Sequence, residues 1–476
     1  MPKIVLIEPQ SPNLHIFSKF PSPRLGTVLL GTIMKQRGWE VELFVEDFRT
    51  LDFGVIGSAD IVGISTITST APRAYAIAER ARALAIPVLF GGPHVTFLPD
   101  EGLRNGDFVL RGEAEETLPA FLDVWRAGGD LSAVPGLSFR QNGEVVHNPK
   151  ASPPRDLDAF PFADFDLLKP DRRWRKKKMV IPVQTSRGCP FDCTFCSVTG
   201  MFGKAYRFRS TAHIIGELRL HKDRNNILFF YDDNFAANKP RTRELLEAMI
   251  KEGFHFRWTT QVRADAARDP ELVRLMKKAG CHTVCIGFES VNPKSLQESH
   301  KAQSLAELNR AVRVFRRHRI HIHGMFVFGF DQDDRGTFRE TVNWARKSRL
   351  TSSQFLILTP LPGSEFFNKV MEEERITFKD WSLYDAHHAV FRPRRLSLAD
   401  LQKAQMWGHK KFYSFKEQIR NLLEGRWLAM AINQYARNLN RTWRKKNRTF
   451  LKVLDLLRPR RGSRISVDYR QDVRLD

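Results

Sequence analysis

Cys189-Pro-Phe-Asp-Cys193-Thr-Phe-Cys196 sets three of the chain's five cysteines within eight residues. Thiolates are soft ligands, suited to zinc or to iron–sulfur clusters. Zinc ordinarily completes a tetrahedron with a fourth protein ligand, from a second cysteine pair or a histidine pair. His213 and His221 stand at no such spacing. Three thiolates on one loop instead hold three corners of a cubane and leave its fourth iron open to another ligand. The remaining Cys281 and Cys285 are too few for a second cluster and read as small buried hydrophobes. An exported disulfide scaffold would use more cysteines and spread them, so the spacing implies a reducing, cytoplasmic setting.

Outward from this loop the chain alternates strand and helix patterns. Strand candidates are 180–187 (VIPVQTSR), 227–233 (ILFFYDD), 257–263 (RWTTQVR), 283–290 (TVCIGFES), 321–330 (HIHGMFVFGF) and 352–360 (SSQFLILTP). Helical patterns such as 244–253 and 270–280 lie between them. Six βα units in one stretch predict a full or partial barrel, whose chemistry sits where the strands end. Upstream, 151–175 is rich in proline and charge and reads as a linker. Residues 136–150 read as a hairpin around Asn142-Gly143.

The first 130 residues alternate again, with strands at 4–9, 41–47, 61–68, 88–94 and 108–113 and helices at 25–38 and 71–85. That is the pattern of a Rossmann-like (flavodoxin-like) parallel sheet, which binds ligands beyond its carboxyl strand ends. MPKIVLIEPQ reads as its first strand and not as a signal peptide. No run approaches the ~20 apolar residues of a membrane span. The fold class is therefore α/β, with a Rossmann-like domain at 1–135, a hairpin and linker at 136–176, a barrel at 177–385 and a helical region at 386–476.

The cysteine loop resembles the radical S-adenosylmethionine (SAM) signature, Cys-x3-Cys-x-aromatic-Cys, with Phe195 in the aromatic position. The resemblance implies a partial (β/α)6 TIM-type barrel and a [4Fe–4S] cluster on Cys189, Cys193 and Cys196. It also implies SAM bound to the open iron and cleaved by one electron to a 5′-deoxyadenosyl radical. A radical that attacks unactivated carbon needs a dry, closed site, which a barrel supplies. Other segments fall in the family's order: Phe230-Tyr231-Asp232-Asp233-Asn234-Phe235, then Thr260-Gln261-Val262-Arg263, then Gly287-Phe288-Glu289-Ser290, then Gly324 to Gly329. They imply SAM contacts at Phe195, Asp232, Asp233, Gln261 and Glu289. An acid at a strand end is, on its own, more often a cap or an ion pair.

The first domain resembles the cobalamin-binding domain fused to such barrels. The matching residues are Gly63-Ile64-Ser65-Thr66, Leu89-Phe90-Gly91-Gly92-Pro93-His94 and Arg111-Gly112-Glu113-Ala114-Glu115. The resemblance implies cobalamin contacts at Ser65, Thr66, Gly91, Gly92, Gly112 and Glu113. The Asp-x-His-x-x-Gly motif that supplies a cobalt ligand is absent, and His15 does not stand in its place. The alternative is a flavodoxin-like domain that only covers the barrel.

Thr359-Pro360-Leu361-Pro362-Gly363 and the segment Trp381 to Arg392-Pro393 carry the resemblance to radical SAM proteins of the hopanoid C-methylase type, up to about residue 420. This likeness implies cobalamin-dependent C-methylation of a small-molecule or lipid substrate, with an electron donor such as flavodoxin or ferredoxin. The rivals are a cyclase or oxidoreductase of the anaerobic porphyrin cyclase type, tRNA methylthiolation, and a non-catalytic cobalamin or redox sensor. Methylthiolation would bring further cysteines in the first domain, which has none, and nucleic acid is not the expected partner. His387 and His388 stand near the expected opening, where packing or turn roles are the commoner use.

The net charge of +23 is uneven: residues 391–476 hold 22 lysines and arginines against 7 carboxylates. This region reads as helical, with one long basic helix near 417–439 and a frayed end from Pro459. Its basic face suits either solvent or peripheral contact with an anionic membrane, from which a lipid substrate could be reached.

Overall fold

The computed structural model describes residues 1–13, 22–174, 179–222 and 227–457; His15 and the chain from 458 onward lie outside them. The first domain is built on β1 (Lys3–Glu8), β2 (Glu40–Val45), β3 (Ile61–Ser65), β4 (Val88–Gly91) and β5 (Phe108–Leu110), parallel and ordered β2-β1-β3-β4-β5. Successive side chains of a strand face opposite ways. Ile4 and Leu6 accordingly pack with Leu25, Val28 and Leu29 of the helix Leu25–Gln36, while Val5 and Ile7 pack with Ile77 and Ala81 of the helix Ala71–Ala83. Both faces are covered, so the strands read as continuous apolar runs. The order reverses between β1 and β3, which opens a crevice at their carboxyl ends.

The hairpin expected at Asn142-Gly143 forms, with β6 (Leu137–Gln141) and β7 (Glu144–His147). Both turn residues are left-handed (φ +51° and +87°), as a two-residue primed turn requires. The hairpin is not a free connection: β6 pairs antiparallel with β5 and extends the sheet.

The barrel strands are β8 (Val180–Val183), β11 (Ile227–Phe230), β12 (Trp258–Val262), β13 (Cys281–Glu289), β14 (His321–Phe328) and β15 (Ser352–Ile357). They are parallel, run in chain order, and do not close between β15 and β8. A short antiparallel pair, β9 (Ser186–Arg187) with β10 (Arg207–Phe208), frames the cysteine loop. Outward residues Phe326, Phe328 and Phe355 stack on each other and on Trp344 and Phe338. The helix Leu398–Phe412 covers the outside of β15, and the Tyr413 hydroxyl donates to the Ser353 carbonyl at 2.7 Å. The long helix expected at 417–439 is two, Phe415–Leu423 and Trp427–Lys446. Gly425 (φ +65°) ends the first, with the Arg426 N–H returning to the Asn421 carbonyl.

Candidate functional site

The cysteine loop leaves the carboxyl end of β9. Gly188 has φ +90°, and a Cβ there would lie 2.2 Å from the Ala205 carbonyl oxygen, so only glycine lets the chain turn. The Cys189 N–H donates to Gly203 O (3.2 Å), the Cys196 N–H to Cys193 O (3.0 Å), and the Thr194 N–H to Ser299 O (3.4 Å). Phe195 stands edge-on to Phe330 with centroids 6.1 Å apart. The Arg263 guanidinium lies 3.8 Å from the centroid of the Phe191 ring and donates to Lys301 O at 2.7 Å.

Burial pushes the Cys193 thiol up and the Cys196 thiol to about 12. The bare loop thus favours neutral thiols, and iron would supply the charge that turns them to thiolates. Among the described residues no three His, Cys, Asp or Glu side chains converge as they would around one ion. A cubane asks for wider spacing, one thiolate per iron. The donor set fits a cluster.

Glu289 lies beside this loop. It takes the left-handed φ of +59° at a register shift of β13, and a Cβ on Gly287 would come 2.4 Å from its Oε1. The Lys301 ammonium pairs with it at 2.8 Å, both groups buried. Burial alone would weaken the ammonium, and Glu289 more than reverses this. Asp233 is exposed to the space beside Cys196, where desolvation by the surrounding protein and then the neighbouring Asp232 push its carboxyl up to about 7. Gln261 lies half-buried on β12, alternating with buried Thr260 and Val262.

Asp232, expected as a SAM contact, turns the other way. Its Oδ1 accepts from the Thr185 N–H (2.8 Å), the Thr185 hydroxyl (3.1 Å), the Ser186 hydroxyl (2.8 Å) and the Ser186 N–H. It anchors the strand end that launches the cysteine loop. Asp232 and Phe230 lie on one side of the strand, Asp233 and the half-buried Tyr231 on the other.

A cavity of about 210 Å³ lies between the domains. The first domain lines it with Ser65, Gly91, Gly92, Gly112 and Glu113 at the carboxyl strand ends, and the barrel closes it with Gln184, Arg187, Met201, Phe202 and Tyr231. A Cβ built on Gly91 or Gly112 meets nothing within 4 Å, so both positions are open cradle. Gly92 serves packing: at φ +94° its Cβ would be 2.5 Å from Thr66 O. Thr66 does not reach the cavity; it is buried, and its hydroxyl donates to Gly91 O at 2.9 Å.

Glu113 lines the cavity, but its carboxylate is held by Arg187 (2.5 Å) and Arg207 (2.5 Å), and Glu115 takes the other arm of Arg187 (2.5 Å). Burial would lower the Arg187 pKa, yet the two carboxylates raise it. Arg187 precedes Cys189 by two residues, so a buried ion network ties the cavity wall to the cysteine loop. Arg187, Arg207 and Lys301 escaped the sequence reading, and Glu115 and Arg263 entered it only as members of matching segments without a role, because no local pattern links residues so far apart in the chain.

Cys281 and Cys285 are buried hydrophobes, burial pushing the Cys285 thiol to about 12. His388 is buried on Asp385 (2.9 Å) and Asn447 (3.0 Å), and His387 meets Gln405, so both serve packing.

A three-cysteine loop at the mouth of an open six-stranded barrel, facing a Rossmann-like crevice, defines a radical SAM enzyme with a second cofactor domain. Residues 183–345 match the radical SAM superfamily and 17–122 the B12 binding domain, and the chain belongs to this family of enzymes. It is 30% identical over 451 residues to bacteriochlorophyllide d C-12(1)-methyltransferase of Chlorobaculum tepidum, covering 93% of this chain and 91% of the relative. It is 30% identical over 433 residues to hopanoid C-3 methylase of Methylococcus capsulatus, covering 84% and 81%. The radical SAM methyltransferase TsrM of Kitasatospora setae, solved with cobalamin and a [4Fe–4S] cluster, shares the fold with TM-score 0.68 at 18% identity, over 78% of each chain.

Proposed function

We propose that the chain is a cobalamin-dependent radical SAM C-methyltransferase acting on an unactivated carbon of a small-molecule or lipid substrate. The observation that carries this is the cavity shared by the Gly91/Gly112 cradle and the strand end that launches Cys189. When bound, the cluster and cobalamin supply the electron that cleaves SAM and the carrier for its methyl group. Cys189, Cys193 and Cys196 would hold the cluster. Phe195, Asp233, Gln261 and Glu289 surround the position SAM would take. A cationic SAM ammonium favours a carboxylate; Asp233 is the carboxyl in this mouth without a salt-bridge partner among the described residues, while Lys301 fixes Glu289 in place. Phe229, Tyr231, Met325 and Leu356 alternate with fully buried residues along their strands and give the interior an apolar lining.

The related enzymes act, by their names, on a chlorophyllide and a hopanoid, and this apolar interior suits a bulky apolar substrate of that kind. Flavodoxin or ferredoxin would deliver the electron, in the cytoplasm. No helix among the described residues is long and apolar enough to cross a membrane.

The test is anaerobic purification with cobalamin, followed by mass spectrometry of cell extracts with and without the enzyme. A product heavier by one CH2, with 5′-deoxyadenosine formed alongside, is expected. A product altered without the added carbon would replace methylation by cyclisation or oxidation.

A further inference from the structure

The helix Phe415–Leu423 is packed inside out. Its buried residues are Glu417 and Asn421: Glu417 meets Arg346 at 2.6 Å, and Asn421 accepts from Arg426 at 2.9 Å. Its apolar residues face solvent at helical spacing: Phe415 (60% exposed), Ile419, Leu422 and Leu423 (81%). After the Gly425 turn, Trp427 (62%) and Leu428 extend the same surface. Water-soluble helices bury such a stripe, and contiguous exposed apolar residues mark a surface that meets something else.

The charge around this stripe narrows the choice of partner. Residues 398–457 hold thirteen lysines and arginines against four carboxylates. All four are paired: Glu417 and Glu424 with Arg346, Arg349 and Arg420, Asp400 with Arg335 and Asp455 with Lys403. Phe415 continues into a groove of about 540 Å³ between the helices Leu398–Phe412 and Trp427–Lys446, lined by Trp407, Lys410, Arg437, Arg441, Trp443 and Arg444 and by no carboxylate among the described residues. Apolar residues flanked by cations, with aromatics between, complement an anionic lipid surface. The rest of the chain, 458–476, brings six arginines against three aspartates, and so does not offer the opposite charge.

From this juxtaposition we infer that the helical hairpin 415–428 and its basic groove form a docking surface for an anionic phospholipid membrane. Arg426 holds the hairpin to the carbonyls of Arg349 (2.6 Å) and Leu350 (3.2 Å), just before β15 begins. The hairpin therefore lies at the end of the barrel opposite the cysteine loop, and docking leaves the mouth uncovered.

The test is co-sedimentation of the anaerobically prepared holoenzyme with phosphatidylcholine vesicles, with or without phosphatidylglycerol. Binding should require the anionic lipid and weaken as salt rises. Leu423→Glu with Trp427→Glu should lower partitioning roughly tenfold or more. Both side chains are exposed, so circular dichroism, iron content and SAM cleavage should stay at wild-type levels. Arg437→Glu with Arg441→Glu should abolish the anionic preference. No binding to anionic vesicles at low salt overturns the inference. So does a dimer in solution that the Leu423/Trp427 variant dissociates, or binding of RNA that outcompetes vesicles through the same arginines. Saturation of the groove by inorganic phosphate without any vesicle binding would also overturn it.

Discussion

Arg187→Met removes one guanidinium and should separate two things the enzyme must keep together. Arg187 lies 2.5 Å from Glu113 and 2.5 Å from Glu115, and its Nε donates to Gln184 at 2.8 Å, all in buried surroundings. Methionine fills similar volume but leaves Glu115 buried without its partner, whereas Glu113 keeps Arg207. Breaking a buried pair by removing one partner costs about 3–5 kcal/mol, a large share of an ordinary stability of about 5–15 kcal/mol. The chemical penalty is separable. Arg187 ties the wall of the 210 Å³ cavity to a loop that begins two residues later, and a misplacement of about 1 Å costs on the order of 10²-fold in rate. Urea unfolding under anaerobic conditions would read the first effect. The ratio of methylated product to 5′-deoxyadenosine would read the second, because SAM cleavage needs only the barrel. The double variant Arg187→Met/Glu115→Gln should recover much of the stability, since no unpaired charge remains, but not the product ratio. A single variant with wild-type stability and a wild-type ratio would refute the idea that this ion network sets the spacing between the sites.

Cys196→Ala should lower bound iron from about four per chain to near none, with 5′-deoxyadenosine formation lost; iron analysis after anaerobic reconstitution checks it. Gly91→Val fills open cradle and should leave urea stability within about 0.5 kcal/mol while cobalamin retention on dialysis falls. Gly92→Ala should instead lower both, costing about 1–3 kcal/mol or more in stability, because its φ of +94° and the Thr66 carbonyl at 2.5 Å both oppose a side chain. Stability should also fall in acid through two buried histidines: burial lowers His323 to about 4 and His409 to about 3. Below the unfolded value near 6.5 the unfolded chain binds protons that the folded chain refuses. Each histidine then removes about 1.4 kcal/mol per pH unit, until its folded pKa is reached. Asp233 and Asp333, pushed up to about 7, contribute the opposite slope over the same range, so the readout is the difference in urea midpoint between wild type and His409→Gln, which should change steadily as the pH falls from about 6.5 to about 4.

The architecture was legible because it is written in local periodicity. Each barrel strand falls inside the stretch read as a strand, except that β13 begins two residues earlier, at Cys281, and the cysteine spacing announces its chemistry within eight residues. The adjacent acids Asp232 and Asp233 show where that legibility stops. Both follow β11, and strand alternation alone separates them: Asp232 continues the face of Phe230, Asp233 that of Tyr231. Alternation thus indicates which acid looks into the barrel, but not that Asp232 ties down Thr185 and Ser186. Glu113 is the harder case. Its segment reads as a ligand loop, and it does line the cavity, yet its carboxylate is occupied by arginines 74 and 94 residues away. No sequence window holds both partners. The same holds for the helix Phe415–Leu423, read as part of one long basic helix: that its apolar residues face solvent shows only once Glu417 is seen facing inward. Residues read as ligand contacts here divide into those that line empty space, such as Gly91, Gly112 and Asp233, and those that hold that space open, such as Thr66, Gly92, Glu113 and Asp232. Substitutions at Gly91 and Asp233 should act on ligand retention at constant stability, and those at Gly112, whose φ is +88°, and in the second group on both at once.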